Sequence, residues 1–283
     1  MNKRTFHLHA LSALHVGTGQ GVGTVDLPIA RAKASNLPLV PGSGIKGVLR
    51  DSLNLDAAQA KTLFGPNNSL DPAHAGALAV GDAHLLLLPI RSFAGTVAFA
   101  TCPFILRQYA RDLGLTLDIP NIAANEAHLS SHSCLLLGRD KIALEDLDMT
   151  AHSSPRADAW ASAIASALYP NDEEWQAQIC SRFVVLPDDI FSFLADTATE
   201  IRMRIKIDRT TRTVQQGALW SEENLPAETV LWGIMGISPS RNHHDNDKRS
   251  ADEVSADLKA GESNIQLGGK HTVGRGLCRF ILA

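Results

Sequence analysis

Residues 200–208 read EIRMRIKID, a strict alternation of aliphatic and charged side chains. Only an extended strand gives such a period physical meaning, because successive side chains leave a strand on opposite faces. Ile201, Met203, Ile205 and Ile207 therefore share one face, and Arg202, Arg204 and Lys206 form a row of cations on the other. After TTRTVQQGA the chain returns through LWSEENLPAETVLWGIMGI, which predicts a long hairpin with Trp220 near its return arm. A short charged row ordinarily serves as a solvated face or a guard against edge pairing. The same row also suits contact with a chain of phosphates, and other parts of the sequence decide between the two.

Strands and helices are interspersed along the rest of the chain. Residues 4–14 (RTFHLHALSAL) alternate as a strand, with Phe6, Leu8 and Ala10 on one face and histidines on the other. In PGSGIKGVLRDSLNL the spacing of Ile45, Val48 and Leu49 predicts a helix over about 44–55, with Ser43 placed to cap it. Lys46 and Arg50 then share a face near the helix start, where unpaired N–H groups and the dipole favour an anion. Residues 76–101 read as two strands, and 103–113 as a helix with Pro103 in its first turn and Arg107 and Arg111 on one face. Residues 121–182 are weakly patterned apart from the alanine-rich helix PRADAWASAIASALY. A polar loop, SRNHHDNDKRSADE, leads to a short helix and to the last segment, IQLGGKHTVGRGLCRFIL.

The chain has 283 residues, 45% of them hydrophobic, enough for one large core or two ordinary ones. No apolar run approaches the ~18 residues that span a bilayer. The N-terminus lacks the apolar region of a signal peptide, so a cytoplasmic protein with no membrane partner is expected. Cys102, Cys134, Cys180 and Cys278 stand far apart with no C-x-x-C pair, which predicts buried free thiols rather than a zinc site or disulfide framework. A net charge of -4 argues against a uniformly basic coat. His243, His244, Asp245 and Asp247 lie close together but without metal-site spacing, and read as a solvated loop.

LHVGTGQGVGTVDLPIA sets Gly17, Gly19, Gly21 and Gly23 ahead of a lone carboxylate, Asp26. The glycines lack the offsets of a dinucleotide fingerprint, and the aperiodic run to about residue 41 predicts a lid or binding loop. GKHTVGRG is no P-loop, since Gly276 follows Arg275 and the next residues are strand-like. Its Gly269, Lys270, His271, Gly274 and Arg275 instead suit a phosphodiester chain, because glycine lets backbone N–H groups approach phosphate oxygens. Phosphate contact accounts at once for this loop, for Lys46 and Arg50, and for the row Arg202, Arg204 and Lys206.

Taken in order, HVGTGQGVGTVDLPIAR, LPLVPGSGIKGVLRD, LLLLPIRSFAGTVAFATCPFILRQYARDL, GALWSEENLP and IQLGGKHTVGRGL resemble one family over nearly the whole chain. It is the family of RAMP-superfamily backbone subunits of type III-B CRISPR effector complexes, the fourth subunit of the Cmr complex. The resemblance implies a single α+β domain over 1–283, built on an RRM-like, ferredoxin-like antiparallel palm. It adds a lid over about 15–41, a helical insertion over about 121–182 and a β-hairpin thumb over about 200–230. It implies that copies stack in a filament on guide RNA beside other Cmr subunits, and that each cuts the paired target RNA at one place.

Carried over residue by residue, the catalytic aspartate falls on Asp26, with His15, Glu222 and Glu223 as weaker candidates. Ser43, Lys46, Arg50 and the loop at 268–276 fall on guide-binding elements. The family's need for a divalent metal, magnesium or manganese, favours Asp26 as a metal ligand over Asp26 as the proton acceptor. His15 could serve as the acid. Two other readings stay open, a non-catalytic scaffold that coats guide RNA and, ranked lower, an endonuclease that trims precursor guide RNA at a histidine-centred site.

Overall fold

The alternation in RTFHLHALSAL becomes an inner strand of a large sheet. In the computed structural model, which describes residues 1–19, 21, 23–67 and 72–283, this is β1 (Asn2–Ala10). It is followed by β2 (Leu39–Val40), helices α1 (Gly42–Ser52) and α2 (Ala57–Phe64), and strands β3 (Leu78–Val80) and β4 (Ala83–Arg91). Next come β5 (Val97–Thr101), α3 (Pro103–Leu113), β6 (Glu126–Leu129), β7 (Lys141–Leu144), β8 (Leu147–Ser153), α4 (Pro155–Leu168), α5 (Glu173–Arg182), β9 (Phe183–Val185) and α6 (Asp188–Thr197). The hairpin β10 (Glu200–Ile207) and β11 (Val214–Asn224) precedes β12 (Val230–Ile237), α7 (Ala251–Ser255), β13 (Gly261–Gln266) and β14 (Leu277–Leu282).

Four strands in the spatial order β14-β1-β12-β4, all antiparallel to their neighbours, form the palm. With α1 between β1 and β4, and α7 between β12 and β14, the connectivity is the βαββαβ of a ferredoxin-like fold. The expected α+β palm is thus present, with β13 added beyond β14 and β5, β9, β6, β8 and β7 beyond β4. Everything from β5 to β11 is inserted between two palm strands that pair directly, so the hairpin grows out of the sheet's own edge of connectivity.

Both faces of β1 are covered. Phe6 packs against Phe280 on one side, while on the other His7 Nε2 lies 2.8 Å from the Tyr109 hydroxyl of α3. Burial holds the His7 imidazole down to about 4, because a charged ring there would lose its hydration. Tyr109, Trp160 and Trp232 complete that layer, with Trp232 Nε1 donating to Asp112 at 3.2 Å. No helix among the described residues is long and apolar enough to cross a membrane.

Several local expectations need correction. α1 begins two residues early, at Gly42, with Pro41 as its N-cap and no capping bond from Ser43. Gly42 fits there because a Cβ would collide with the Val80 carbonyl oxygen. The segment 121–182 is not purely helical: β6, β7 and β8 stand beside α4 and α5, and β6 joins the main sheet through β9. EAHL in β6 and LDMTAH in β8 do alternate apolar and polar residues, a short strand signal that the reading of this segment as helical passed over. Cys102 and Cys278 are buried as expected, whereas Cys134 is exposed and Cys180 half-buried.

Candidate active site and nucleic-acid interface

The lid is not a free loop, because it lies along the root of β11. Leu14 and Leu225 exchange two backbone hydrogen bonds, at 2.8 and 2.9 Å. Further along, Leu27 donates to the Ser221 carbonyl at 3.1 Å and accepts from the Glu223 N–H at 3.0 Å, a short parallel pairing that carries Asp26 past the strand. Gln20 and Val22 of the glycine run lie outside the described residues.

Asp26 is exposed, yet its carboxylate is anchored. Its Oδ2 accepts the Ser221 N–H at 2.7 Å and the Ser221 hydroxyl at 2.8 Å, while the Asp26 N–H donates back to Ser221 Oγ at 3.0 Å. The Ser221 N–H, then its hydroxyl, hold the Asp26 carboxyl below the usual carboxylate range, since both bonds favour the anion. Oδ1 carries no hydrogen bond among the described residues.

The two glutamates flank this clamp in different ways. Glu223 is buried, and its Oε2 accepts the Ile29 N–H at 3.1 Å while Oε1 accepts Arg31 Nη2 at 2.6 Å. Its carbonyl accepts from His15 Nδ1 at 2.6 Å, which makes Nδ1 the protonated nitrogen. His15 is buried as well, with its ring beneath Gly17, where a Cβ would come within 2.7 Å of Nε2. Glu222 points the other way, has no exposed surface, and faces Arg275 Nε at 3.6 Å and Lys270 Nζ at 4.0 Å. Among the described residues neither of its carboxylate oxygens has a hydrogen-bond partner, and neither does Arg275 Nε or Trp220 Nε1.

The C-terminal glycine loop closes against the same place. Gly269 donates to the His15 carbonyl at 3.2 Å and Gly276 to that of Ala13 at 2.9 Å. Gly268 and Gly276 have φ of 74° and 76°, and a Cβ on either would collide with a carbonyl oxygen, of His15 and of Leu267 respectively. Gly269, His271 and Gly274 are exposed. Lys270 and Arg275 are more enclosed than the sequence suggests, with Lys270 Nζ also 5.7 Å over the Trp220 ring.

Two further cations are turned inward. Lys46 Nζ donates to the Leu78 carbonyl at 2.6 Å, and Arg50 Nη2 donates to the Phe64 and Gly65 carbonyls at 2.9 and 2.8 Å. Partial burial, then the charges of Arg50 and Arg241, hold the Lys46 ammonium below its ordinary range. Both side chains are thereby bound to the α2 and β3 region rather than open at the start of α1. Ser43 and its neighbours Gly44 and Gly47 make up the exposed face of α1 instead.

On the hairpin, Arg202 pairs with Glu200 through Nε at 2.8 Å, whereas Arg204 and Lys206 make no ion pair among the described residues. The opposite face is uncovered: Ile201, Met203, Ile205, Ile207, Val214 and Leu219 are all exposed. In the polar loop Asp245 pairs with Lys61 and Asp247 with Arg249, and no group of three metal-ligating side chains occurs among the described residues. Ser221 and Arg31 were not singled out by sequence reasoning. The one signal for Ser221 is the polar run SEEN at the end of a strand, and whether such a run is buried is not written in it.

Fold and site define a ferredoxin-like palm whose acid-bearing lid is laid against the root of a projecting hairpin. The RAMP superfamily model matches residues 7–279. The chain therefore belongs to the RAMP superfamily. It is 32% identical to a protein of Pyrococcus furiosus named CRISPR system Cmr endoribonuclease Cmr4, over 97% of this chain and 94% of that one. It is 25% identical to the CRISPR system CMR subunit Cmr4 of Saccharolobus solfataricus, with the same coverage of 97% and 94%. Among solved structures, the oligomeric Cmr4 of Pyrococcus furiosus superposes with a TM-score of 0.73 at 26% identity, over 100% of this chain and 98% of that one.

Proposed function

We propose that this chain is a backbone subunit of a type III-B CRISPR effector complex, an endoribonuclease that lines guide RNA together with further copies of itself and cuts the paired target RNA at regular intervals. One observation carries the reading. An exposed carboxylate, kept anionic and anchored by Ser221, stands in a RAMP chain that is 32% identical over 97% of its length to a protein named a Cmr endoribonuclease.

RNA brings its own nucleophile, the 2′-OH. Cleavage requires that oxygen in line with phosphorus, its proton removed, and the charge on the departing 5′-oxygen relieved. A carboxyl held below its ordinary range is a weak proton acceptor at neutral pH, so Asp26 acts through its charge. Its free Oδ1 is the atom available to magnesium or manganese, and one carboxylate oxygen completed by phosphate oxygens and water is a donor set that such hard ions accept. A bound ion would supply positive charge at the scissile phosphate.

The chain's own residues provide the rest. Ser221 fixes the carboxylate, while Glu223 and Arg31 fix the lid that bears it. His15, with Nδ1 engaged by the Glu223 carbonyl, supports the glycine run from below. The hairpin, pushed between bases, displaces a nucleotide and kinks the target strand toward in-line geometry. Sequence choice is left to base pairing with the guide.

Asp26→Asn tests the assignment in an assembled complex: target cutting is expected to vanish while guide binding and assembly persist. Full cutting by that variant would leave only a scaffold role for residue 26. Cut positions mapped with and without divalent ions test the ion separately, and unchanged cutting in a chelator would refute its part.

A further inference from the structure

We propose that Ser221 is a positioning residue for Asp26, through which the seating of the hairpin governs cutting. The proposal rests on the reading of Asp26 given above. Among the described residues, two hydrogen bonds from other residues reach the Asp26 carboxylate, both from Ser221 and both ending on Oδ2. The residues beside it are engaged elsewhere, Glu222 against Arg275 and Glu223 with Ile29 and Arg31. Among the described residues a single hydroxyl, 7% exposed as a residue, is therefore the one side chain that hydrogen-bonds the acid.

Its location in β11 gives that bond a second consequence. Residues 214–220 are exposed or half-exposed, whereas 221–225 are buried, so Ser221 is where the projecting ribbon becomes part of the palm. Across the hairpin it pairs in register with Met203, which is 61% exposed. A shift of the ribbon against RNA moves the Ser221 N–H and hydroxyl together, and the carboxylate with them. Without the hydroxyl only the Ser221 N–H holds Oδ2, and the carboxyl turns more freely in the broad well of its terminal torsion.

The test compares Ser221→Ala, Ser221→Thr and Ser221→Val with Asp26→Asn in the guide-loaded complex. Guide affinity, assembly and the single-turnover cutting rate are measured. Ser221→Ala is expected to assemble and bind guide as the parent does and to cut about tenfold more slowly. Threonine, which keeps the hydroxyl, is expected to restore most of the rate, and valine of the same shape is not. Parent-like cutting in Ser221→Ala, or equal rates for threonine and valine, overturns the proposal while a dead Asp26→Asn leaves the proposed function standing. An active Asp26→Asn refutes the proposed function itself.

Discussion

Arg31 on the lid reaches Glu223 at the hairpin root across 2.6 Å, with the two side chains 17% and 8% exposed. A carboxylate so enclosed depends on its partner, and here the pair ties together segments 192 residues apart in sequence. Arg31→Ala is expected to lower unfolding stability by about 3 kcal/mol, because it strands the Glu223 charge with only the Ile29 N–H. Glu223→Gln, which keeps an acceptor oxygen, should cost less. Urea midpoints read both, and an unmoved midpoint for Arg31→Ala would mean that the lid is not held by this pair.

His7 makes stability depend on pH in the palm itself. Its folded value of about 4 lies below the ordinary 6.5, so the unfolded chain binds the extra proton first as pH falls. Stability is therefore full above about pH 6.5 and declines as pH drops toward 4, by up to about 3 kcal/mol. His7→Gln should flatten that part of the curve, even though it also loosens the packing on Tyr109. Equal slopes for parent and variant between pH 7 and 5 would assign the acid sensitivity elsewhere.

The palm was legible because its strands carry their own periodicity. EIRMRIKID specifies β10 almost to the residue and Pro103 fixes the start of α3, while RTFHLHALSAL locates β1 but overruns its end at Ala10 by four residues. Sequence patterning placed the cations without telling where they point. Lys46, Arg50, Lys270 and Arg275 sit where phosphate contact was expected, but carbonyls and one buried carboxylate compete for them. The Asp26 anchor was invisible for a simpler reason: its partner lies 195 residues away, and a serine in a strand has no pattern of its own.

Gly268 and Gly269 separate strain from space in the C-terminal loop. Gly268 has φ of 74° and backbone against its missing Cβ, whereas Gly269 has open space around it and no such φ. Gly268→Ala is expected to destabilise the protein by about 2 kcal/mol or more and to weaken guide binding as the loop leaves His15. Gly269→Ala should stay within about 0.5 kcal/mol of the parent. Thermal unfolding of the two variants decides, and equal losses would show that the loop adapts to both.

Guide affinity should fall steeply as salt rises, because its cations displace counterions from phosphates. The hairpin cations are not equivalent in this respect, since Glu200 already neutralises Arg202 while Arg204 and Lys206 stand free of ion pairs among the described residues. Replacing Arg204 and Lys206 together with alanine is expected to make the slope of log affinity against log salt shallower by about 1.4, for single-stranded RNA and two lost contacts. Arg202→Ala should change it by less than half of that, because a guanidinium already neutralised by Glu200 displaces fewer counterions. The loss should be the same for every guide sequence, as a phosphate contact requires. Slopes that fall equally for Arg202 and for the other two would mean that Glu200 lets go of its partner when RNA binds.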